Sequence, residues 1–174
     1  MQIQIAPKEE FAALVQFYTR MNEVINKRTN HYNPDNAVFP SEAMIADAIE
    51  SEGQFVGIED GQIVAACIVN HECSEAYLTA NWQIAADRSE FWVLHALRVA
   101  PEYEGRGYAK QMIARMIEEA PRKAQKAIRL DCMEGYAVNS MYERMGFQYI
   151  DTIEILYEDI GYPERFRLLE KVIG

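Results

Sequence analysis

Positive charge is scarce in this chain: 17 Lys and Arg stand against 27 Asp and Glu, a net charge of −10. Nucleic acid demands clustered basic residues, so that class of partner is excluded. No apolar run is long enough to span a bilayer, and the opening MQIQIAPKEE carries no signal-peptide pattern. We therefore expect a cytoplasmic protein without a membrane partner. Cysteine is sparse as well. Cys67, Cys73 and Cys132 are odd in number and widely spaced, which argues for reduced thiols and against a disulfide frame or a zinc site. No metal is expected. Internal repeats, low-complexity tracts and linkers are also missing, and 174 residues suit one well-buried core better than two. We expect a single domain over residues 1–174. The acidity mildly favours a cationic substrate, although the simpler reading is solubility.

Two familiar phosphate loops are absent too. A mononucleotide P-loop ends in Gly-Lys followed by Ser or Thr, and no such triplet occurs. The dinucleotide fingerprint G-x-G-x-x-G opens the first βα unit and would need a glycine where Lys110 stands. What the chain does have is LHALRVAPEYEGRGYA, residues 94–109. An apolar strand runs into Pro101, and a glycine-spaced turn then opens a helix. Such a turn aims unpaired backbone N–H groups at one point, beside the positive end of a helix dipole. That arrangement seats a phosphate or pyrophosphate with little need for charged side chains. Gly105 and Gly107 allow close backbone approach, and Ala109 is the next-smallest choice. A phosphorylated cofactor is expected here; the competing reading is an ordinary strand-to-helix turn.

Elsewhere the patterning is legible. Gln2–Ile5 alternates as a strand. Pro7 and Lys8-Glu9-Glu10 start a helix whose apolar face is Phe11, Leu14, Val15, Tyr18, Met21 and Ile25. Residues 29–40 read as a loop, and Ser41 caps a second helix with Met44, Ile45, Ala48 and Ile49 inward. Gln54–Glu59 and residues 63–69 are strands joined by Asp60-Gly61, a hairpin signal. Residues 70–90 lack periodicity and read as loop with a short element around Trp82. Phe91–Val99 is a strand, and after the glycine turn a helix shows Met112, Ile113, Met116 and Ile117 on one face until Pro121. Ala127–Met133 is a buried strand, residues 138–145 a helix stopped by Gly146, and strands near 147–156 and 166–172 follow. Strands outnumber helices and a hairpin is present, so the sheet is mixed and the domain α/β.

The turn E-G-R-G-Y-A after L-R-V-x-P, followed by I-R-L-D-C and by Y-E-R-M-G-F at residues 142–147, resembles the GNAT superfamily of N-acetyltransferases. Its members move an acetyl group from acetyl-coenzyme A to an amine. The resemblance covers residues 91–150 and implies a single-domain, mostly antiparallel sheet flanked by helices. It implies that Gly105, Arg106, Gly107, Tyr108, Ala109 and Lys110 bind the coenzyme pyrophosphate, with Arg106 and Lys110 adding local positive charge. The backbone of Leu97, Arg98 and Val99 would pair with the pantetheine arm, and an N–H near Leu97 would polarise the thioester carbonyl, a role worth roughly 3 kcal/mol where such donors have been removed. Where the family has Gln or Arg, this chain has Glu104; its carboxylate is expected to face solvent or to pair with a nearby Arg or Lys.

Tyr142 is the first catalytic candidate. Its phenol can stabilise the departing thiolate, but full protonation is uphill by roughly 2 kcal/mol from reference pKa values of about 10 and 8.5. A half-buried tyrosine that only packs is the competing reading. The Asn usual in the family falls near Gly135 or Tyr136 here, so Asn139 either caps its helix or contacts the coenzyme. For the base, His95 on the key strand stands beside Glu72, Asp87 and Glu90 as a candidate, although a lone strand histidine is more often a packed one. An alkyl ammonium of pKa about 10.4 needs such a base, whereas an α-amine near 8 can manage with water. His31 and Tyr32 fall in the loop that borders the acceptor pocket in such folds. Cys132, inside an apolar strand, is read as core. The reading is direct acetyl transfer to a small-molecule or peptide amine; the alternative is a coenzyme-binding regulatory module without catalysis. Homodimers are common in the family, and nothing in the sequence specifies an interface.

Overall fold

Period-two alternation along the strands sorts apolar side chains to two sides of one sheet. The computed structural model describes residues 1–29, 38–135, 138–158 and 160–174; His31, Tyr32 and Tyr136 lie outside them. Strands β1 (Gln2–Ile5), β2 (Gln54–Glu59), β3 (Gln62–Asn70), β4 (Phe91–Val99), β5 (Ala127–Met133), β6 (Gln148–Leu156) and β7 (Pro163–Val172) form a seven-stranded sheet in the order β1-β2-β3-β4-β5-β7-β6. β4 and β5 run parallel, and the other neighbours pair antiparallel. The expected mixed, mostly antiparallel α/β architecture is what the chain adopts.

Helices α1 (Phe11–Thr29) and α2 (Glu42–Glu50) cover one face, where Leu14, Phe17, Tyr18, Met21, Ile45, Ala48 and Ile49 pack on Val56, Ala66 and Ile68. Helices α3 (Tyr108–Glu119) and α4 (Val138–Arg144) cover the other, where Met112, Ile113 and Met116 meet Phe55, Ala65, Cys67 and Val69. Ser41 caps α2 as expected, its Oγ accepting the Met44 N–H at 3.1 Å. No helix among the described residues is long and apolar enough to cross a membrane.

The segment between β3 and β4 differs from expectation. It makes 3-10 turns at Glu75–Thr79 and Arg88–Glu90, and Trp82 sits between them in no regular element. Side chains from distant strands hold it. Buried Arg129 and Glu170 pair at 2.9 Å across β5 and β7. Glu170 also accepts the Gln83 N–H at 2.7 Å, Arg129 donates to the Ile84 carbonyl at 3.0 Å, and the guanidinium lies 4.4 Å from the Trp82 ring centre.

The sheet opens at one place. β4 and β5 are in register only from Phe91↔Ala127 to Val93↔Arg129, yet β4 continues to Val99 and β5 to Met133. A bulge accompanies the divergence. Ala66 pairs with Arg98 and Ile68 with His95, so Ala96 and Leu97 share the position opposite Cys67. Ala96 takes φ 49°, a left-handed conformation that costs a non-glycine residue roughly 1 kcal/mol or more. The extra residue shifts the strand's parity: Trp92 and Leu94 face the α3 side before it, Leu97 and Val99 after it.

Candidate active site

Between the diverging strands lies a cavity of about 630 Å³, walled by residues 94–98 of β4 and 130–133 of β5, with Tyr142, Glu72 and Tyr157 among its other lining residues. Past Val93 the β5-facing edge of β4 has no ladder partner among the described residues. A strand edge in this state can pair with an extended ligand.

β4 leads through Pro101 into the glycine turn. Gly105 and Gly107 take φ 76° and 78°, and a Cβ built on either meets nothing within 4 Å. Among the described residues, no protein acceptor takes the N–H groups of Gly105, Arg106, Gly107, Tyr108, Ala109 or Lys110; the first bond of α3 runs from the Gln111 N–H to the Gly107 carbonyl at 3.1 Å. Six consecutive donors at a helix start, with open space before them, fit an anion such as a pyrophosphate.

The acidic residues around this turn are each matched by arginine. Glu104 accepts from Arg28 at 2.5 Å, Glu102 from Arg20, and Glu59 from Tyr108 with Arg106 at 3.5 Å. The Arg106 guanidinium lies 4.9 Å from the Tyr103 ring centre, and that ring stacks on Tyr108. These exposed pairs contribute little stability, but they offset the carboxylates next to an anion seat. Lys110 is exposed and forms no ion pair among the described residues.

Tyr142 reaches the cavity from α4, and the Y-E-R-M-G-F block is the device that holds it. Gly146, at φ 84°, donates to the Glu143 carbonyl at 3.0 Å, and the Phe147 N–H donates to the Tyr142 carbonyl at 3.1 Å. That is a Schellman stop, in which the flanking apolar pair also packs: the Tyr142 and Phe147 rings meet edge-on at 5.6 Å. The Tyr142 hydroxyl makes no hydrogen bond among the described residues. Burial pushes its pKa above the usual phenol value, with the Cys132 thiol adding to the rise and Arg98 opposing it. It stays protonated at neutral pH.

His95 is partly buried on β4, and burial lowers its pKa to about 4 against a smaller opposing effect of the Glu72 carbonyl. Its Nε2 lies 2.9 Å from Asn70 Oδ1 and 3.2 Å from the Glu72 carbonyl. Asn70 Oδ1 also accepts the Glu72 backbone N–H at 2.9 Å, which fixes it as the amide oxygen. Both neighbours are acceptors, so the proton sits on Nε2 and the Nδ1 lone pair is left available.

Of the sequence-derived candidates, His95, Leu97, Arg98, Glu72 and Tyr142 line this cavity. Val99 pairs with Ala65 beyond it. Asn139 is in α4, but its side chain lies outside the described features. Asp87 and Glu90 form a capping box at the start of β4 and do not line the cavity; Glu90, whose pKa is lowered chiefly by its bond to Lys126, pairs with that lysine at 2.5 Å. Cys132, expected in the core, lies on the cavity wall, because residues 130–133 run past the last β4 pair. Burial, and then the Asp131 charge, push its thiol up to about 12, so it is a poor nucleophile at neutral pH.

A sequence profile of the Acetyltransferase (GNAT) family matches residues 13–147. The chain belongs to the GNAT acetyltransferase family. Solved structures agree on the fold. A GNAT-family acetyltransferase from Streptococcus agalactiae superposes with a TM-score of 0.78, with 20% identity over 99% of this chain and 95% of that one. The ribosomal-protein-alanine N-acetyltransferase of Brucella melitensis gives 0.71, with 16% identity over 99% of both chains. The ribosomal-protein-S18-alanine N-acetyltransferase of Escherichia coli gives 0.67, with 17% identity over 99% and 94%. No curated protein sequence matches the chain.

Sequence reasoning missed Asp131 with its partners Tyr77 and Tyr157, all three in or beside this cavity. One signal was available: a carboxylate in the run I-R-L-D-C-M, where four of the six residues are apolar, calls for a partner or a role. The tyrosines come from segments far away in sequence, and nothing local marks them.

Proposed function

We propose that the chain transfers the acetyl group of acetyl-coenzyme A to a primary amine by direct attack, without a covalent enzyme intermediate. The observation that carries this is the run of six amides at residues 105–110 that meet no acceptor among the described residues, joined by the edge of β4, unpaired past Val93 among those residues, to a cavity that holds a protonated tyrosine. Acetyl-coenzyme A, when bound, supplies the acetyl group as a thioester.

The chain's own residues do the rest. The amides of residues 105–110 bind the pyrophosphate, and the absent Cβ atoms at Gly105 and Gly107 leave room for it. The backbone of Leu97, Arg98 and Val99 aligns the pantetheine arm. At the bulge the Leu97 N–H faces the carbonyl oxygen on which negative charge develops, a placement typically worth about 3 kcal/mol. Tyr142 donates to the departing thiolate. His95 offers its Nδ1 lone pair to the incoming amine; with a pKa of about 4 it orients the nucleophile or holds a water rather than stripping an alkyl ammonium outright. The acceptor attacks as the free amine, an ammonium first giving its extra proton to bulk water, and the N–H proton then lost from the attacking nitrogen ends on the coenzyme thiol, so the reaction needs no further co-reactant.

Arg28 pairs with Glu104 and so offsets a carboxylate that would otherwise repel the coenzyme at this turn. The test is release of free thiol from acetyl-coenzyme A with a panel of primary amines. Release that rises with amine concentration supports the reading. Tight coenzyme binding without amine-dependent release would instead make the chain a coenzyme-binding module.

A further inference from the structure

We propose that Asn70 is a positioning residue of this site: its amide oxygen holds the His95 ring with the proton on Nε2, so that the Nδ1 lone pair receives an N–H of the acceptor amine. This rests on the acyl-transfer reading above. The sheet sets the geometry. Ile68 is the register partner of His95, and Asn70 that of Val93, so Asn70 lies diagonal to His95 on the same face. Side chains so placed reach one another, and Asn70 Oδ1 stands 2.9 Å from Nε2.

β3 ends at Asn70, and the chain leaving the sheet folds back on this side chain. The Glu72 N–H donates to Asn70 Oδ1 at 2.9 Å, a turn that asparagine favours. The Glu72 carbonyl is thereby set 3.2 Å from Nε2. The ring nitrogen thus meets two acceptors, and both depend on Asn70: one is its own oxygen, and the other is placed by the bond that oxygen accepts. Phe39 meets the ring edge-on at 6.4 Å. Nδ1 makes no hydrogen bond among the described residues, and the ring lines the cavity.

The tautomer decides what the acceptor can do. A free amine has one lone pair, and that pair must reach the thioester carbon. A bare Nδ1 accepts an N–H and leaves the pair free. A protonated Nδ1 would donate to the pair and hold it away from the carbon. Asparagine also differs from aspartate here, because it accepts the Nε2 proton without a charge that would draw a second proton onto the ring.

The test pairs two variants of similar size. Asn70→Asp keeps the acceptor, and Asn70→Leu removes it. Nitrogen NMR of the histidine rings at about pH 8, where the ring is neutral, reads the tautomer, with the His95 signals assigned by their absence in His95→Gln. Thiol release from acetyl-coenzyme A with benzylamine reads the chemistry. We expect Nε2–H alone in wild type and in Asn70→Asp, and a mixture of tautomers in Asn70→Leu. In Asn70→Leu the ring loses its fixed orientation as well as its tautomer, so kcat should fall about threefold to tenfold. Asn70→Asp should stay within about twofold of wild type, and KM for benzylamine and the coenzyme Kd should hold in both variants. A wild-type ring protonated on Nδ1 would overturn the proposal. So would an Asn70→Leu spectrum or kcat like that of wild type, or an equal fall of kcat in the two variants. If Asn70→Leu does not fold, Asn70→Ala serves with the same readings. Should wild type release no thiol with any amine, the acyl-transfer reading falls separately and the spectra decide the hold on the ring: a tautomer lost in Asn70→Leu supports it, and an unchanged one refutes it.

Discussion

Replacing Gly107 by alanine separates backbone strain from ligand binding, because the fold supplies its own control. Gly107 and Gly61 take nearly the same positive φ, 78° and 74°, and a Cβ at either meets nothing within 4 Å. Gly61 turns the β2–β3 hairpin; Gly107 caps α3. An alanine forced into the left-handed region costs about 1 kcal/mol, relieved by no contact in either place. For a chain of this size that corresponds to a Tm lower by roughly 2–4 °C, and the same fall is expected in both variants. Coenzyme affinity is expected to divide them. At Gly107 the new methyl group stands in the open space before the amides, so at least one hydrogen bond to a charged phosphate oxygen is lost. Such bonds are worth about 1.5–3 kcal/mol, so Kd should rise about tenfold to 150-fold, while Gly61→Ala binds as wild type. Thermal unfolding and calorimetric titration with coenzyme A measure both. Equal coenzyme affinity in the two variants would refute the assignment of the turn.

Three further outcomes are expected. Tyr142→Phe should lower kcat by about tenfold to 100-fold, the value of a hydrogen bond to a developing thiolate, and leave the coenzyme Kd and Tm nearly unchanged; steady-state kinetics showing full kcat would reduce Tyr142 to a packing residue. Glu104→Gln should bind coenzyme at least as tightly as wild type, because the carboxylate lost is one that Arg28 now offsets, and weaker binding in calorimetry would assign Glu104 a positive role. His95 has a folded pKa of about 4, below the unfolded value of about 6.5, so acid favours the unfolded state. Its contribution is full above pH ~6.5 and is lost as pH falls toward ~4, by at most roughly 3 kcal/mol. Urea unfolding of His95→Gln at neutral and acid pH should therefore show a shallower loss than wild type, and identical losses would mean that the ring titrates normally.

Much of the architecture was readable because its signals are local. The strand Phe91–Val99, the strand Ala127–Met133 and the cap at Ser41 fall where alternation and capping chemistry put them. Even the bulge has a trace in the sequence, since apolar positions shift from Trp92 and Leu94 to Leu97 and Val99. The segment between β3 and β4 was not readable. Its order comes from Arg129, Glu170 and Asp131, whose partners lie more than 40 residues away, and no window of sequence contains both ends of such a contact. The cavity was hidden for the same reason. It exists because two parallel strands part after Val93, an event set by tertiary geometry, so a residue such as Cys132 looks like core when read along the strand alone. The glycine turn and the Y-E-R-M-G-F block stood out because each is a local backbone device, one exposing amides and the other ending a helix.

The most direct measurement is a crystal structure of the protein with acetyl-coenzyme A. The pyrophosphate oxygens should lie within about 3 Å of amide nitrogens in residues 105–110, and the thioester should lie between the bulge at Leu97 and the Tyr142 hydroxyl. A coenzyme bound elsewhere, with those amides facing only solvent, would contradict the account.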